Sequence, residues 1–253
     1  MKLSNADRKL SAVTTTEILA EYVLDLRPEN LSSSSIEIAK HSILDLIGAA
    51  VAGFSTSSAS VYRETAPKFF SAGSASIWFS GQNLHPAASA LVNSAAASAL
   101  DIDDGNRQAG GHPGASMIPA AFALAQHLKA SVPELLTAIV AGYEIGIRVA
   151  RSRDFSALAT YSTGRWCSFG AAAVAGCLYK SDVKEFAHSL AIAGVQSPDM
   201  AAAGYSRFMG NSVKEGIAWS TMTGIFAHEL GRSGFTGPLD ILDHPDYYDT
   251  NNI

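Results

Sequence analysis

The stretch LDIDDGNRQAGGHPGAS, Leu100–Ser116, puts Asp101, Asp103 and Asp104 close together, then a glycine-rich run, then His112 against Pro113. A carboxylate beside an imidazole can serve proton transfer, because it holds one ring tautomer and stabilises the imidazolium that forms. Gly105, Gly110 and Gly111 let the intervening loop fold back so that the two groups meet. Asp101 and Asp104 have the i,i+3 spacing of one helix face, at the end of a helix expected from about Pro86. Negative charge there opposes the helix dipole, at a cost of roughly 0.3–1 kcal/mol per exposed carboxylate. His112 stands just before the next expected helix, whose free N–H groups suit an anion.

Other readings of the same residues are a plain solvated loop between two helices, or a metal site. A calcium loop of the EF-hand kind needs glycine at its sixth position and glutamate at its twelfth, where this stretch has Asn106 and His112. An aspartate-rich magnesium site for diphosphates needs a second carboxylate cluster on a facing helix. The nearest, Asp240 to Asp249, lies in a turn-rich segment, so no metal ligand is assigned.

Two more segments join polar or cationic residues to a helix start. In YSTGRWCSFG, Tyr161, Ser162, Thr163 and Arg165 precede an apolar run; in GYSRFMGNSVKEGIAWS, Arg207 and Lys214 flank a glycine turn. Each also fits an ordinary capped helix, but together the three starts point toward a polycarboxylate ligand. Glu144 with Arg148 is read as a surface pair, and His127, His188 and His228 as solvent or boundary residues.

The elements that must position these groups are helices. Capping-box spacing occurs at Thr14 with Glu17, Ser34 with Glu37, Ser131 with Glu134 and Asp182 with Glu185. Apolar stripes follow, Ile36, Ile43, Ile47, Ala50, Val51 and Phe54 in one segment, Leu136, Ile139, Val140, Tyr143 and Ile147 in another. The pattern predicts about nine helices in an all-α, layered bundle, with one short extended piece near Ile77 to Phe79. Alanine-, glycine- and serine-rich segments such as FGAAAVAGCLY belong at its centre, where small residues let helix axes approach. Residues 1–237 read as this helical domain and residues 238–253 as a turn-rich tail without a closing helix.

At 253 residues and 47% hydrophobic content the chain can bury a full core. A net charge of -5 gives no broad basic field, so neither nucleic acid nor an anionic membrane is expected as a partner. Cys167 and Cys177 share one apolar run and read as buried thiols of a reducing compartment. The amino terminus lacks a signal-peptide core, and the longest apolar stretch, Trp166 to Tyr179, is short of the roughly 20 residues a membrane helix needs. A cytoplasmic location is the expectation.

The segments ALDIDDGNRQAGGHPGASMIPAAFALAQ, AGYEIGIRVA, STGRWCSFGAAAVAGCLY, SLAIAGVQS and GFTGPLDIL, in this order and spacing, resemble the MmgE/PrpD family, which includes 2-methylcitrate dehydratase, cis-aconitate decarboxylase and iminodisuccinate epimerase. The resemblance implies an N-terminal all-helical domain, with a smaller α/β lid expected to begin near residue 238. It implies a lyase or isomerase acting on a small di- or tricarboxylate without metal or organic cofactor, as a homodimer. It places the family's aspartate on Asp101 and its proton-transferring histidine on His112, with Asp104, Gly105, Tyr161 and Arg207 on the substrate side. Three positions depart from the pattern. Gly105 stands where the family often has threonine, Tyr161 where it often has histidine, and Ser206 or Arg207 at the place of a substrate-binding lysine. Neither tyrosine near neutral pH nor glycine supplies what is replaced. These departures keep open a second reading, a non-catalytic helical domain that dimerises through its small-residue helices.

Overall fold

In a computed structural model of the protein, residues 13–156, 158, 161–198 and 212–253 are described. Among them, nine α-helices and one two-stranded ribbon form an all-α bundle. The helices are α1 (Thr15–Asp25), α2 (Ser33–Phe54), α3 (Ser57–Phe69), α4 (Pro86–Ala97) and α5 (Gly114–Leu128). They continue with α6 (Val132–Arg151), α7 (Cys167–Tyr179), α8 (Val183–Gln196) and α9 (Ile217–Arg232), while β1 (Ala75–Ile77) pairs antiparallel with β2 (Gln82–Leu84).

Several helix starts were legible from local chemistry. Thr14 with Glu17 and Ser131 with Glu134 form reciprocal capping boxes at α1 and α6. Asp182 caps α8 through the backbone N–H groups of Lys184 and Glu185. At α2 the cap is Ser32 rather than Ser34, which already lies inside the helix; the serine run offers several hydroxyls, and Ser32 is the one in extended backbone. Val51, expected on the apolar stripe, is exposed. The extended piece near Ile77 is a short hairpin leading into α4, with Trp78 and Phe79 in its turn rather than in a strand, and Phe79 adopts a positive φ of 62°.

The centre is built from α4 and α7, as their small residues demand. Every residue of α4 is buried, and α7 is buried on all faces along nearly its whole length. Small side chains bring α9 onto α7 so closely that a Cβ at Gly224 would stand 2.6 Å from the Ala171 Cβ. Two polar side chains on α4 are spent on the ribbon. Asn93 receives the Trp78 N–H at 2.9 Å and donates to the Ser76 carbonyl at 3.0 Å, while Ser89 donates to the Ala75 carbonyl at 2.7 Å.

Residues 238–253 pack back onto the bundle. Leu242 is buried, Asp243 accepts the Thr15 N–H at 3.2 Å, and the Asp249 N–H donates to the Ser152 carbonyl at 2.7 Å. Arg148, besides pairing with Glu144 at 2.8 Å, donates to the Ile253 carbonyl at 2.8 Å. His228, expected at the boundary, is buried instead; Ser181 bonds its Nε2 at 2.7 Å, and burial pulls its pKa down to about 3. No single helix among the described residues is long and apolar enough to cross a membrane.

Candidate active site

The loop between α4 and α5 is the centre of the site. Because α4 ends at Ala97, the aspartates stand beyond its last turn, where the dipole penalty fades. They do not share a helix face as their spacing suggests. Asp101, beyond the helix, takes left-handed backbone (φ 60°), which turns the chain and sends the three carboxylates in different directions.

The rest of the loop closes on itself. Asn106 exchanges backbone bonds with Gly110 and Gly111, and its side chain receives the N–H groups of Gln108 and Ala109. Gly110 has a φ of 60°, and a Cβ there would lie 2.6 Å from the Phe155 ring. From outside the loop, buried Arg153 donates to the Ala109 carbonyl at 3.2 Å. This closure returns His112 to the aspartates.

His112 Nδ1 lies 3.0 Å from the Asp104 carbonyl oxygen and 3.4 Å from that of Asp103. A carbonyl only accepts, so Nδ1 must carry the proton and the neutral ring keeps its lone pair on Nε2. Nε2 faces Asp101 Oδ1 at 3.5 Å, and Lys214 Nζ reaches that same oxygen at 3.3 Å. The orienting bond therefore comes from the backbone, while Asp101 acts electrostatically on the nitrogen that exchanges its proton.

Asp103 lies on the other side of the ring, 3.5 Å from Nδ1, with its side chain almost wholly buried and neither oxygen receiving a hydrogen bond. Burial pushes its pKa up to about 6, against the pull of His112. For His112, burial works to lower the pKa, but Asp103, Asp101 and Glu215 together raise it above the ordinary value.

Asp104 faces away from this cluster. Its Oδ1 accepts the Gly114 N–H at 2.8 Å and its Oδ2 the Tyr143 hydroxyl proton at 2.8 Å, so it caps the start of α5, where an external anion was expected. Burial raises its pKa. Asp104 and Gly105 line a cavity of about 510 Å³ between α2 and α6, together with Tyr143 and Arg148.

The three helix starts singled out in the sequence converge. The His112 N–H donates to Thr163 Oγ1 at 3.2 Å; Thr163 stands in a single 3-10 turn, Thr163–Arg165, just before α7. Thr163 in turn donates to Glu215, just before α9, through its N–H at 3.0 Å and its hydroxyl at 2.6 Å. Lys214 also lines a cavity of about 540 Å³ bordered by Ser98, Ala99, Gly216 and Trp219. Tyr161 sits one layer out, stacked on Phe155 at 5.7 Å between ring centroids. Arg207 and Ser206 lie outside the described residues.

Donor atoms of Asp101, His112 and Glu215 lie within 4.8 Å of one another, a spacing that a divalent cation can bridge. Lys214 already brings positive charge to Asp101, and Thr163 takes up one Glu215 oxygen. The chemistry open to the arrangement is proton exchange at Nε2 beside a lysine ammonium. Sequence reading named Asp103, Thr163 and Lys214 among the candidate segments without giving them a role and did not name Glu215, although its place beside Lys214 before an apolar helix was a usable signal.

Comparison with known proteins gives the same frame. Residues 17–249 match the family model described as the MmgE/PrpD N-terminal domain. The chain is 27% identical over 242 residues to a cis-aconitate decarboxylase-like protein, oryM, of Aspergillus oryzae, covering 90% of this chain and 49% of that protein. It is 27% identical over 254 residues to a cis-aconitate decarboxylase of Aspergillus terreus, covering 96% of this chain and 50% of the relative. The chain thus spans about half the length of the curated relatives it matches. The match over nearly all of the helical bundle, loop and site included, places this chain in the MmgE/PrpD family.

Proposed function

We propose that the chain carries the proton-transfer face of a lyase or isomerase acting on a small di- or tricarboxylic acid. The observation that carries this reading is the fixed tautomer of His112, with Nδ1 held by the Asp104 carbonyl and Nε2 free beside Asp101 and Lys214. In this reading Nε2 takes the proton from a carbon next to a substrate carboxylate. The C–H electron pair moves into that carboxylate as an enediolate, and the Lys214 ammonium offsets the growing charge. Loss of a β-hydroxyl from this state, protonated by the His112 imidazolium and leaving as water, is dehydration, and delivery of a solvent proton to the opposite face is epimerisation. In decarboxylation the order is reversed: carbon dioxide leaves first, and protonated His112 supplies the proton to the carbanion. The relatives' printed names favour the decarboxylation branch.

Asp101 tunes Nε2, and Asp104 supports the site from behind as a helix cap. Arg207 and Tyr161 remain proposed substrate contacts, with Gly105 leaving open the space that a side chain would fill. No metal or organic cofactor is part of the proposal. A homodimer is, supported by the exposed Trp219 and Phe226, which stand two turns apart on α9; light scattering tests it.

The deciding experiment is turnover of cis-aconitate and a panel of small di- and tricarboxylates by the wild-type chain and by His112→Gln. Wild-type turnover with a loss of about 10²–10⁴-fold in the variant is the expected result. No wild-type turnover, or an equally active variant, overturns the reading.

A further inference from the structure

Glu215 stands one residue before Gly216, which caps α9 in left-handed backbone (φ 75°). Its Oε2 accepts two hydrogen bonds from Thr163, one from the N–H at 3.0 Å and one from the hydroxyl at 2.6 Å. A hydroxyl has a single proton. Because Thr163 spends it on Glu215, only the oxygen lone pairs remain, and one of them receives the His112 N–H at 3.2 Å. The direction of this relay is forced, since a backbone N–H can only donate and an ionised carboxylate can only accept.

The turn at Thr163 is clamped from its backbone as well. The Glu215 carbonyl accepts from the Ser162 hydroxyl at 2.7 Å and from the Gly164 N–H at 3.1 Å. Two glycines allow this approach. A Cβ at Gly111 would press on the Thr163 hydroxyl and lie 3.1 Å from the Trp166 ring, and one at Gly164 would press on the Glu215 carbonyl and lie 3.0 Å from the Gly216 carbonyl carbon. Glu215 also acts through space, since its carboxylate belongs to the cluster with Asp101 and His112.

We propose that Glu215 is a positioning residue for His112: by taking both Thr163 donors it aims the threonine hydroxyl at the His112 amide and so sets where the imidazole stands against Asp101. The relay joins the starts of α5, α7 and α9, so one carboxylate ties together three elements distant in sequence. This deepens the function proposed above and rests on His112 being its proton-transfer group, yet the position of His112 can be read without any substrate.

The test follows the His112 backbone amide and ring by NMR in the 253-residue chain. The variants are Glu215→Ala, Glu215→Gln, Thr163→Val and Thr163→Ser. The groups that face the ring and set its titration are Asp101 and Asp103 from the loop, Asp104 behind it, and Lys214 and Glu215 before α9. Glu215→Ala and Thr163→Val are expected to shift the His112 amide resonance and speed its hydrogen exchange by about tenfold or more. Thr163→Ser keeps the hydroxyl and is expected to match wild type. Glu215→Gln keeps an accepting oxygen but not the charge, so the amide stays in place while the ring titrates at lower pH than in wild type. The double variant Glu215→Ala with Thr163→Val should be no worse than the more severe single change, because both break one relay.

An unchanged His112 amide in Glu215→Ala overturns the proposal, as does full additivity in the double variant. In Glu215→Ala, a ring titration shifted over an unmoved amide leaves only a through-space charge effect and overturns it too. Where turnover is measurable, Glu215→Ala and Thr163→Val should lose about tenfold in kcat and Thr163→Ser less than about twofold. Absence of wild-type turnover counts against the proposed reaction, while the amide and ring data still decide the role of Glu215.

Discussion

His112 Nε2 and Asp101 Oδ1 stand 3.5 Å apart, on the side of the ring opposite to the backbone carbonyl that holds Nδ1. The carboxylate therefore sits against the nitrogen that gains and loses a proton, and stabilises the charged ring. Burial opposes ionisation of His112, but Asp103, Asp101 and Glu215 outweigh it. If Nε2 acts as the base, kcat/KM should rise with pH through a midpoint higher than the ordinary 6.5, and if protonated His112 acts as the acid of the decarboxylation branch, kcat/KM should fall through that midpoint. Asp101→Asn should move that midpoint to lower pH. A pH–rate profile in which the midpoint stays put assigns the titration to another group.

Asp103 makes the opposite prediction for stability. Its folded pKa is about 6 against an ordinary 3.8, so the folded chain binds this proton more tightly than the unfolded chain. Stability from this group is full below about pH 4 and is lost as pH rises through about 6. Asp103→Asn should stabilise the fold by about 1–3 kcal/mol at pH 8 and have little effect at pH 4. Urea unfolding at the two pH values checks it, and a loss at pH 8 would mean that the His112 pairing outweighs the burial cost.

The bond from the Tyr143 hydroxyl to Asp104 Oδ2, at 2.8 Å, supports the cap on α5 from α6. Tyr143→Phe removes the donor and leaves a buried carboxylate oxygen without it, which should cost about 1–3 kcal/mol. Asp104→Ala removes the cap itself, for about 0.5–2 kcal/mol. Because the two share one contact, the double variant should cost less than the sum; additive losses in chemical denaturation would separate them.

At the crossing of α7 and α9, a Cβ on Gly224 would press on the Ser168 carbonyl oxygen and lie 2.6 Å from the Ala171 Cβ and 2.9 Å from the Ala172 nitrogen. These are mostly backbone atoms, with no flexible side chain to yield. Gly224→Ala should destabilise by about 1–3 kcal/mol despite its better helix propensity. A rise in melting temperature would show that the two helices separate at little cost.

Much of the fold was legible because its signals are local. The capping boxes at Thr14 and Ser131 work within four residues, and the apolar spacing of α6 reads directly as a buried face. The small residues of α4 and α7 announced close packing for the same reason. The glycine-rich loop marked three aspartates and His112 as one cluster, and the family resemblance singled out Asp101 among them. Their roles could not be divided from sequence, because residue types and spacing do not disclose which carboxylate becomes buried. That division follows from the left-handed backbone at Asp101, which leaves Asp101 exposed, buries Asp103 and turns Asp104 onto α5.

The sequence alone determined an all-helical domain, since periodicity, caps and turn chemistry act over a few residues, and its resemblance to the MmgE/PrpD family drew attention to Asp101 and His112. Only the tertiary structure decided that Thr163 and Glu215 stand behind His112. The Thr163–His112 contact spans 51 positions and the Thr163–Glu215 contact 52, and both exist because α5, α7 and α9 bring their starts to one place. Such contacts depend on how helices pack, and no local propensity encodes them.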